Sequence, residues 1–354
     1  MIIYFIILFL VLIVFSILSK KGETNNLSFY LSGFILVIFP AFRSSNVGTD
    51  TNNYVGSFQN LRYLQLPMDK INSSLEIGYL MLERIAYFIS HEYWVLLLLI
   101  ALLSVGLSLF AIRKMSLNAR ISIFIYITLG FYLFLFNGAR QSIAASFFGI
   151  SFYFLVKRNL KYYLFWILVG AFFHKTILIM IPFYFILKNE FSIKKLFYYS
   201  ILSFVALTFL SRFLLLFDEA TIDRYSVYED RNAQGGLLLS LFFIVMTFVL
   251  IRFRKYIKTE NLAYFNIYLN TCVFSSIIYM VVSLTGSDVN FLRMSLYFSL
   301  GYILIWPFIL NDVPMFNRLL PRVAFIGVHL VFFGIYLSKM SNLVPYEFNP
   351  NLFP

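Results

Sequence analysis

Thiol and imidazole chemistry have little to work with in this sequence: 354 residues contain one cysteine, Cys272, and three histidines, His91, His174 and His329. One cysteine excludes an intramolecular disulfide and a cysteine-based metal site. The histidines lie too far apart in the chain for the paired spacing of a zinc site, so no metal and no cofactor is expected. Charge is scarce too, with Asp, Glu, Lys and Arg making up 12% of residues. There is no P-loop, no GxGxxG turn and no GxSxG elbow, which removes the usual phosphate-loop, dinucleotide and hydrolase readings. The stretch "NVGTDTNNY" at 46–54 holds a single acidic residue and is no EF-hand loop. Without a fixed-period repeat or a low-complexity tract, one domain over residues 1–354 is the simplest organisation.

What is abundant is hydrocarbon. Hydrophobic residues make up 61% of the chain and the mean hydropathy is +0.83, more apolar surface than one soluble core hides. Apolar runs of about 20 residues, the length that crosses a bilayer, recur along the sequence. The expected fold is all-α, a polytopic integral membrane protein with about 10 spanning helices. They fall near 1–19, 28–42, 93–112, 120–137, 140–156, 196–217, 236–251, 262–284, 294–310 and 323–338. Residues 1–19 lack a basic leader and a small-residue cleavage site, so they are expected to be a retained helix.

Lys and Arg mark the cytoplasmic side of a membrane protein. The basic connectors are Lys20-Lys21, Arg113 to Arg120, Lys157 to Lys161, Lys188 to Lys195, Arg252 to Lys258 and Arg318 to Arg322. Placing all of them inside puts both termini outside and explains the basic balance as orientation, with no nucleic-acid partner needed. Two segments must then begin and end on one side. Residues 76–90, "EIGYLMLERIAYFIS", are too short and too charged for a lipid-exposed span and suit an outer interfacial or re-entrant helix. Residues 161–187 are interrupted at His174-Lys175 and followed by Pro182, the pattern of a broken-helix hairpin, tolerated where it is buried in protein or lines a wet cavity.

On this topology the remaining polar residues gather on the outer loops 43–92, 218–235 and 285–293. Arg43 ends the second span, Arg140 opens the span at 140, Arg293 opens the one at 294, and Arg224 lies in "DEATIDRYSVYED". Guanidinium groups grip phosphate oxygens bidentately, so arginines converging on one cavity predict an anionic ligand, a diphosphate above all. The bland alternatives are snorkelling at helix ends for the arginines and a satisfied structural role for His174. For Asp50 the alternative to a site role is a helix cap in a solvated turn.

Taken in order, "R43…VGTD50…Y54", "E76IGY", "NGAR140QSIA", "AFFH174KT", "R224YSVY" and "NFLR293" resemble the EpsG family of membrane polysaccharide polymerases, relatives of the Wzy-type O-antigen and capsule polymerases. The resemblance runs over roughly residues 1–340. It implies a GT-C-like glycosyltransferase of the bacterial cytoplasmic membrane that joins undecaprenyl-diphosphate-linked oligosaccharide repeat units on the outer face, with lipid diphosphate as leaving group. A flippase and a chain-length regulator of the same pathway are the implied partners. For that chemistry Arg140, Arg224 and Arg293, with Arg43, would stabilise the leaving diphosphate. His174, or else Asp50, would act as general base. Gly48 would let the loop before Asp50 turn tightly, and Tyr54, Tyr225 and Tyr228 would stack on sugar rings, with Gln141 and Glu76 completing the substrate-binding set. Competing readings are a flippase or exporter of the same lipid-linked glycan, an O-antigen-ligase-type transferase and a membrane acyltransferase.

Overall fold

A computed structural model describes residues 1–19, 25–60, 75–192, 194, 198, 233–285, 289–339 and 341–352. The expected span at 196–217 and the loop residues 218–232 lie outside the described residues, apart from Tyr198. Helices dominate, and among the described residues the one β-type pairing is an isolated antiparallel bridge between Arg43 and Phe348. Among the described residues four helices are long and apolar enough to cross a membrane, or up to five if one bent pair is a single span. The chain is an all-α membrane protein; the expected count of about ten spans is not confirmed by the described helices.

Two compact units are distinguished, residues 1–184 with 320–354 and residues 185–319. The first contains α1 (Ile2–Leu18), α2 (Asn26–Ala41), α3 (Thr51–Gln59), α4 (Ile77–Ile89), α5 (Tyr93–Met115), α6 (Ala119–Thr128), α7 (Phe134–Asn137), α8 (Ala139–Val156) and α9 (Leu160–Ala171). It is closed by α15 (Leu319–Lys339, from Leu320 on), which seats Phe333 against Phe5 of α1 and Phe325 against Phe124 of α6. Asn25, Asn118 and Asn159 cap α2, α6 and α9 by accepting backbone N–H groups of their first turns.

One end of this unit carries the charged connectors. Ser19 meets Ser28 there, Arg120 donates to the Phe15 carbonyl and Arg113 to Asn26. The opposite end gathers the start of α1, the end of α2, the start of α8 and the chain beyond α15: Tyr4 donates to the Leu343 carbonyl and packs on Phe136. Within this unit the connector residues Arg113 and Arg120 thus lie at one end and loop 42–50 at the other.

The expected helix at 120–137 is not continuous. It breaks after Thr128 because Gly130 adopts φ +81 with the Tyr336 ring where a Cβ would sit, 2.7 Å away. The hairpin at 161–187 is observed with its break in the expected place. Helix α9 ends at Ala171, a 3-10 turn runs from Lys175 to Met180, and α10 (Phe183–Leu187) follows. The chain folds back on itself, since the Tyr163 hydroxyl donates to the Met180 carbonyl.

Helix α4 reverses the usual amphipathic sense. Ile77, Met81, Ile85, Phe88 and Ile89 are exposed, Phe88 to 92%, while Glu76, Tyr79 and Glu83 are buried. An outward apolar stripe with inward carboxylates suits a hydrocarbon exterior.

The second unit contains α11 (Ala233–Phe253), α12 (Thr259–Thr285), α13 (Ser295–Phe298) and α14 (Leu300–Asp312), with a 3-10 turn at Val289–Met294. The expected helix at 294–310 is bent by 47° between α13 and α14. Thr247, Ser276 and Tyr302 share a buried hydroxyl cluster between helices. Asp312 accepts from the Lys258 backbone and the Asn261 side chain at the head of α12.

Gly48 is where loop 42–50 meets α7, with φ +98 and the Phe136 carbonyl 2.3 Å from where a Cβ would stand. Gly48→Ala is expected to destabilise the first unit by about 3 kcal/mol, the left-handed strain and the clash together, read as a fall in melting temperature of the purified protein.

Candidate active site

Glu76 joins residues that lie far apart in sequence. Its Oε2 accepts from Arg140 Nη1 at 2.6 Å, and its Oε1 faces His174 Nδ1 at 3.0 Å and accepts the Lys175 backbone N–H at 3.3 Å. The side chains are 8% exposed for Glu76, 27% for Arg140 and 24% for His174. The elements explain the meeting. Helix α8 starts at Ala139 and runs about 27 Å, and α9 returns antiparallel to it, so the break at 172–174 brings His174 back toward the level of Arg140. Helix α4 docks by its first turn, Gly78 N–H donating to the Phe172 carbonyl at 2.8 Å. A Cβ at 78 would stand 2.7 Å from that oxygen, so only glycine permits the approach.

Burial opposes the charge on Glu76, but the hydrogen bond from His174 and the positive charge of Arg140 outweigh it and hold the carboxyl down to about 2. An ionised carboxylate only accepts, so Nδ1 of His174 carries the proton that faces Glu76, and in the neutral tautomer this leaves Nε2 as the basic nitrogen. Among the described residues Nε2 has no hydrogen-bond partner, and Arg140 keeps N–H groups beyond the one on Glu76. The arrangement is an oriented imidazole beside a partly exposed guanidinium, both fixed by one carboxylate.

Beneath it lies an aromatic and polar floor. The Arg140 guanidinium sits 5.9 Å from the Tyr79 ring centroid, and Tyr79 packs on Tyr54 at 5.7 Å. The Tyr54 hydroxyl accepts the Ala139 N–H at 3.1 Å, at the head of the helix that carries Arg140. Tyr54 is therefore a buried brace in this structure, and its ring is not open for stacking on a sugar. Arg43 differs from expectation in the same way. It is fully buried, donating to the Pro40 carbonyl at 2.7 Å and to the Thr51 hydroxyl at 3.2 and 3.3 Å, with Phe136 4.7 Å away under its guanidinium. Burial lowers it to about 10, so it remains a cation at neutral pH. Enclosed in this way, it closes loop 42–50 and contributes a charge rather than a direct contact to any ligand.

Asp50 is half-buried at the head of α3, where its backbone carbonyl accepts from Tyr54 N–H at 3.2 Å and its side chain makes no cap bond. Gln141 is buried beside Arg140 on α8. Arg293 is half-buried in the second unit, on the 3-10 turn before α13. Arg224, Tyr225 and Tyr228 lie outside the described residues. Among the described residues no three His, Cys, Asp or Glu side chains come together as a metal-ligand set.

Sequence reasoning missed Tyr79, Glu83 and the segment 341–352. Tyr79 and Glu83 had a signal: they fall three and seven residues after Glu76, one stripe of a helix. Segment 341–352 had none, being short and without periodicity, yet it lies across loop 42–50. Ser44 N–H donates to the Glu347 carbonyl at 2.9 Å and Asn349 N–H to the Phe42 carbonyl at 2.8 Å.

Helices bare to hydrocarbon on the outside, with a carboxylate, an imidazole and a guanidinium fixed at one end, define an integral membrane protein with a built polar site. Residues 26–348, nearly the whole chain, match the EpsG family, and the chain belongs to that family, whose members are polysaccharide polymerases. No curated protein and no solved structure matches it.

Proposed function

We propose that this polysaccharide polymerase is a GT-C-like glycosyltransferase that uses undecaprenyl-diphosphate-linked oligosaccharides as both donor and acceptor, at the outer face of the cytoplasmic membrane. The observation that supports this reading is the Glu76 hub, which aims a basic nitrogen and a guanidinium at one end of the unit, away from the Lys and Arg connectors. The acceptor sugar hydroxyl gives its proton to Nε2 of His174 as its oxygen attacks the anomeric carbon of the donor. The bond from that carbon to the diphosphate oxygen breaks, and the lipid diphosphate leaves with the electron pair. Arg140 stabilises the charge that grows on the departing oxygens, while Glu76 stabilises the imidazolium, which later releases its proton to water. Asp50 is the proposed further contact to sugar.

The test is purified protein in lipid with a synthetic undecaprenyl-diphosphate repeat unit of its own glycan and no nucleotide sugar, read as a gel ladder. Wild type is expected to build the ladder. Arg140→Ala and His174→Ala are expected to lower the rate by about 100-fold or more, the size of a lost charge-stabilising or proton-transfer group. A ladder that survives both changes removes these two residues from the reaction. Folded wild-type protein without a ladder overturns the lipid-linked donor and favours translocation or ligation of the glycan, which vesicle translocation and single-transfer assays separate.

A further inference from the structure

Glu83 lies under this site and the reaction above does not use it. It falls seven residues after Glu76 on α4, on the same buried stripe, and is fully inaccessible. Neither carboxyl oxygen completes a hydrogen bond, and the same holds for the hydroxyl of fully buried Tyr79. The Ser57 hydroxyl and the Tyr79 phenol lie beside the carboxyl without forming well-shaped bonds to it. Enclosed carboxyls without donors are rare in folded proteins, because the ionised form loses its hydration and gains nothing in return.

The surrounding charges give this carboxyl its significance. Tyr79 feels the fields of Glu83, Arg140 and Arg43, so all three surround one spot. Arg43 and Arg140 are cations and Glu76 is an anion, which leaves this group with one net positive charge while Glu83 is neutral. Ionisation of Glu83 cancels it. On Glu83 itself, Arg140 from α8 is the charged group that acts; Tyr79 and, next in sequence, Arg84 are its neighbours on α4, and α3 brings Ser57, while Tyr54 acts on Tyr79. Helix α5 packs on α4 and has no titratable side chain between Trp94 and Ile112, with Glu92 and Tyr93 at its head.

We propose that Glu83 is a positioning residue that sets the charge of the site: protonated, it leaves Arg140 available to a diphosphate, and ionised, it draws Arg140 toward the floor and weakens anion binding. The inference rests on the diphosphate reading of the site. Desolvation supplies the physical basis for a neutral resting form. Burial raises the carboxyl to about 7 against the pull of Ser57, Arg140 and Tyr79, so the group changes charge near neutrality.

The test measures binding of a prenyl-diphosphate sugar to the full chain in lipid between pH 5.5 and 9, alongside the ladder assay. That probe is a diphosphate diester whose own charge is constant over this range. For wild type the Kd is expected to rise roughly tenfold across neutrality, the order that one unit charge exerts in a partly buried site. Glu83→Gln, the permanently neutral near-isostere, is expected to bind close to the low-pH affinity with a profile clearly flatter than wild type, and Glu83→Asp to restore the wild-type steepness. In the ladder assay the change should appear in KM and leave kcat close to wild type. Glu83→Gln should also melt higher than wild type above pH 7 and nearly equal to it at pH 5. A carboxyl whose proton affinity rises on folding withdraws stability as pH climbs from about 4.5 to about 7. A Glu83→Gln profile that parallels wild type overturns the proposal even if the ladder is intact. A missing ladder with pH-dependent binding overturns the polymerase chemistry and keeps the charge switch.

Discussion

Glu76→Gln is expected to lower the polymerisation rate by about 1000-fold while the protein still inserts and folds. The carboxylate makes Nδ1 of His174 the donor, at 3.0 Å, and thereby makes Nε2 the base. A glutamine amide presents its own N–H₂ to the same neighbours and no longer dictates the tautomer, the kind of change that costs a carboxylate-oriented histidine base several orders of magnitude. The same substitution removes the anion that fixes Arg140 at 2.6 Å. Glu76→Ala should be equally inactive and less stable, because the guanidinium and imidazole are left around a void. The stability cost follows from the carboxyl's two states. It sits at about 2 in the fold against an ordinary 4.5, which is about 3 kcal/mol at neutral pH. With the folded value depressed, that stabilisation is complete above about 4.5 and is lost as pH falls through about 2. Melting curves should therefore separate wild type from Glu76→Gln at pH 7 and bring them together near pH 2. A wild-type ladder from Glu76→Gln would show that the tautomer of His174 does not govern the reaction.

The sequence made the class of fold legible because hydrocarbon and charge are segregated along it, and the apolar runs register with α2, α5, α8, α11, α12 and α15 to within a few residues. It also exposed the break at His174-Lys175, since a polar pair inside an apolar run has few places to go. The break at Gly130 was hidden, because a left-handed turn against Tyr336 depends on a helix two hundred residues away. At the site, Arg140, His174 and Glu76 were nameable from local motifs, but their meeting was not. Contacts separated by 64 and 98 residues need the antiparallel return of α9 and the glycine docking of α4. Arg43 illustrates the opposite error. An arginine at a helix end has the same local appearance whether it reaches solvent or curls back onto its own helix, and only the Phe136 ring and the Thr51 hydroxyl decide for the second.

Removal of residues 341–354 is expected to open loop 42–50 and abolish polymer formation although every apolar helix of the first unit remains. This segment is a strap. Besides its backbone bonds to Phe42 and Ser44, its Tyr346 hydroxyl donates to the Phe39 carbonyl at 2.7 Å, and its Ser341 carbonyl accepts from Asn137 at 2.6 Å. Leu343 and Asn349 are fully buried within it. Five such hydrogen bonds, counting Tyr4 to Leu343, contribute about 5 kcal/mol together, enough to set whether the loop stays closed. Loop 42–50 in turn supports the site through Thr51 and Tyr54, which hold the end of α7 and the head of α8. The single cysteine makes this measurable: Cys272 is fully buried, so the native chain gives a low maleimide background. Ser44→Cys, at a 4% exposed position beneath the strap, should label slowly in the full chain. In the chain ending at Met340 it should label at least about 100-fold faster, as expected when a locally closed segment is released. Protection of Ser44→Cys in the truncated chain would mean that Arg43, through Thr51 and Pro40, is sufficient to hold the loop without the strap.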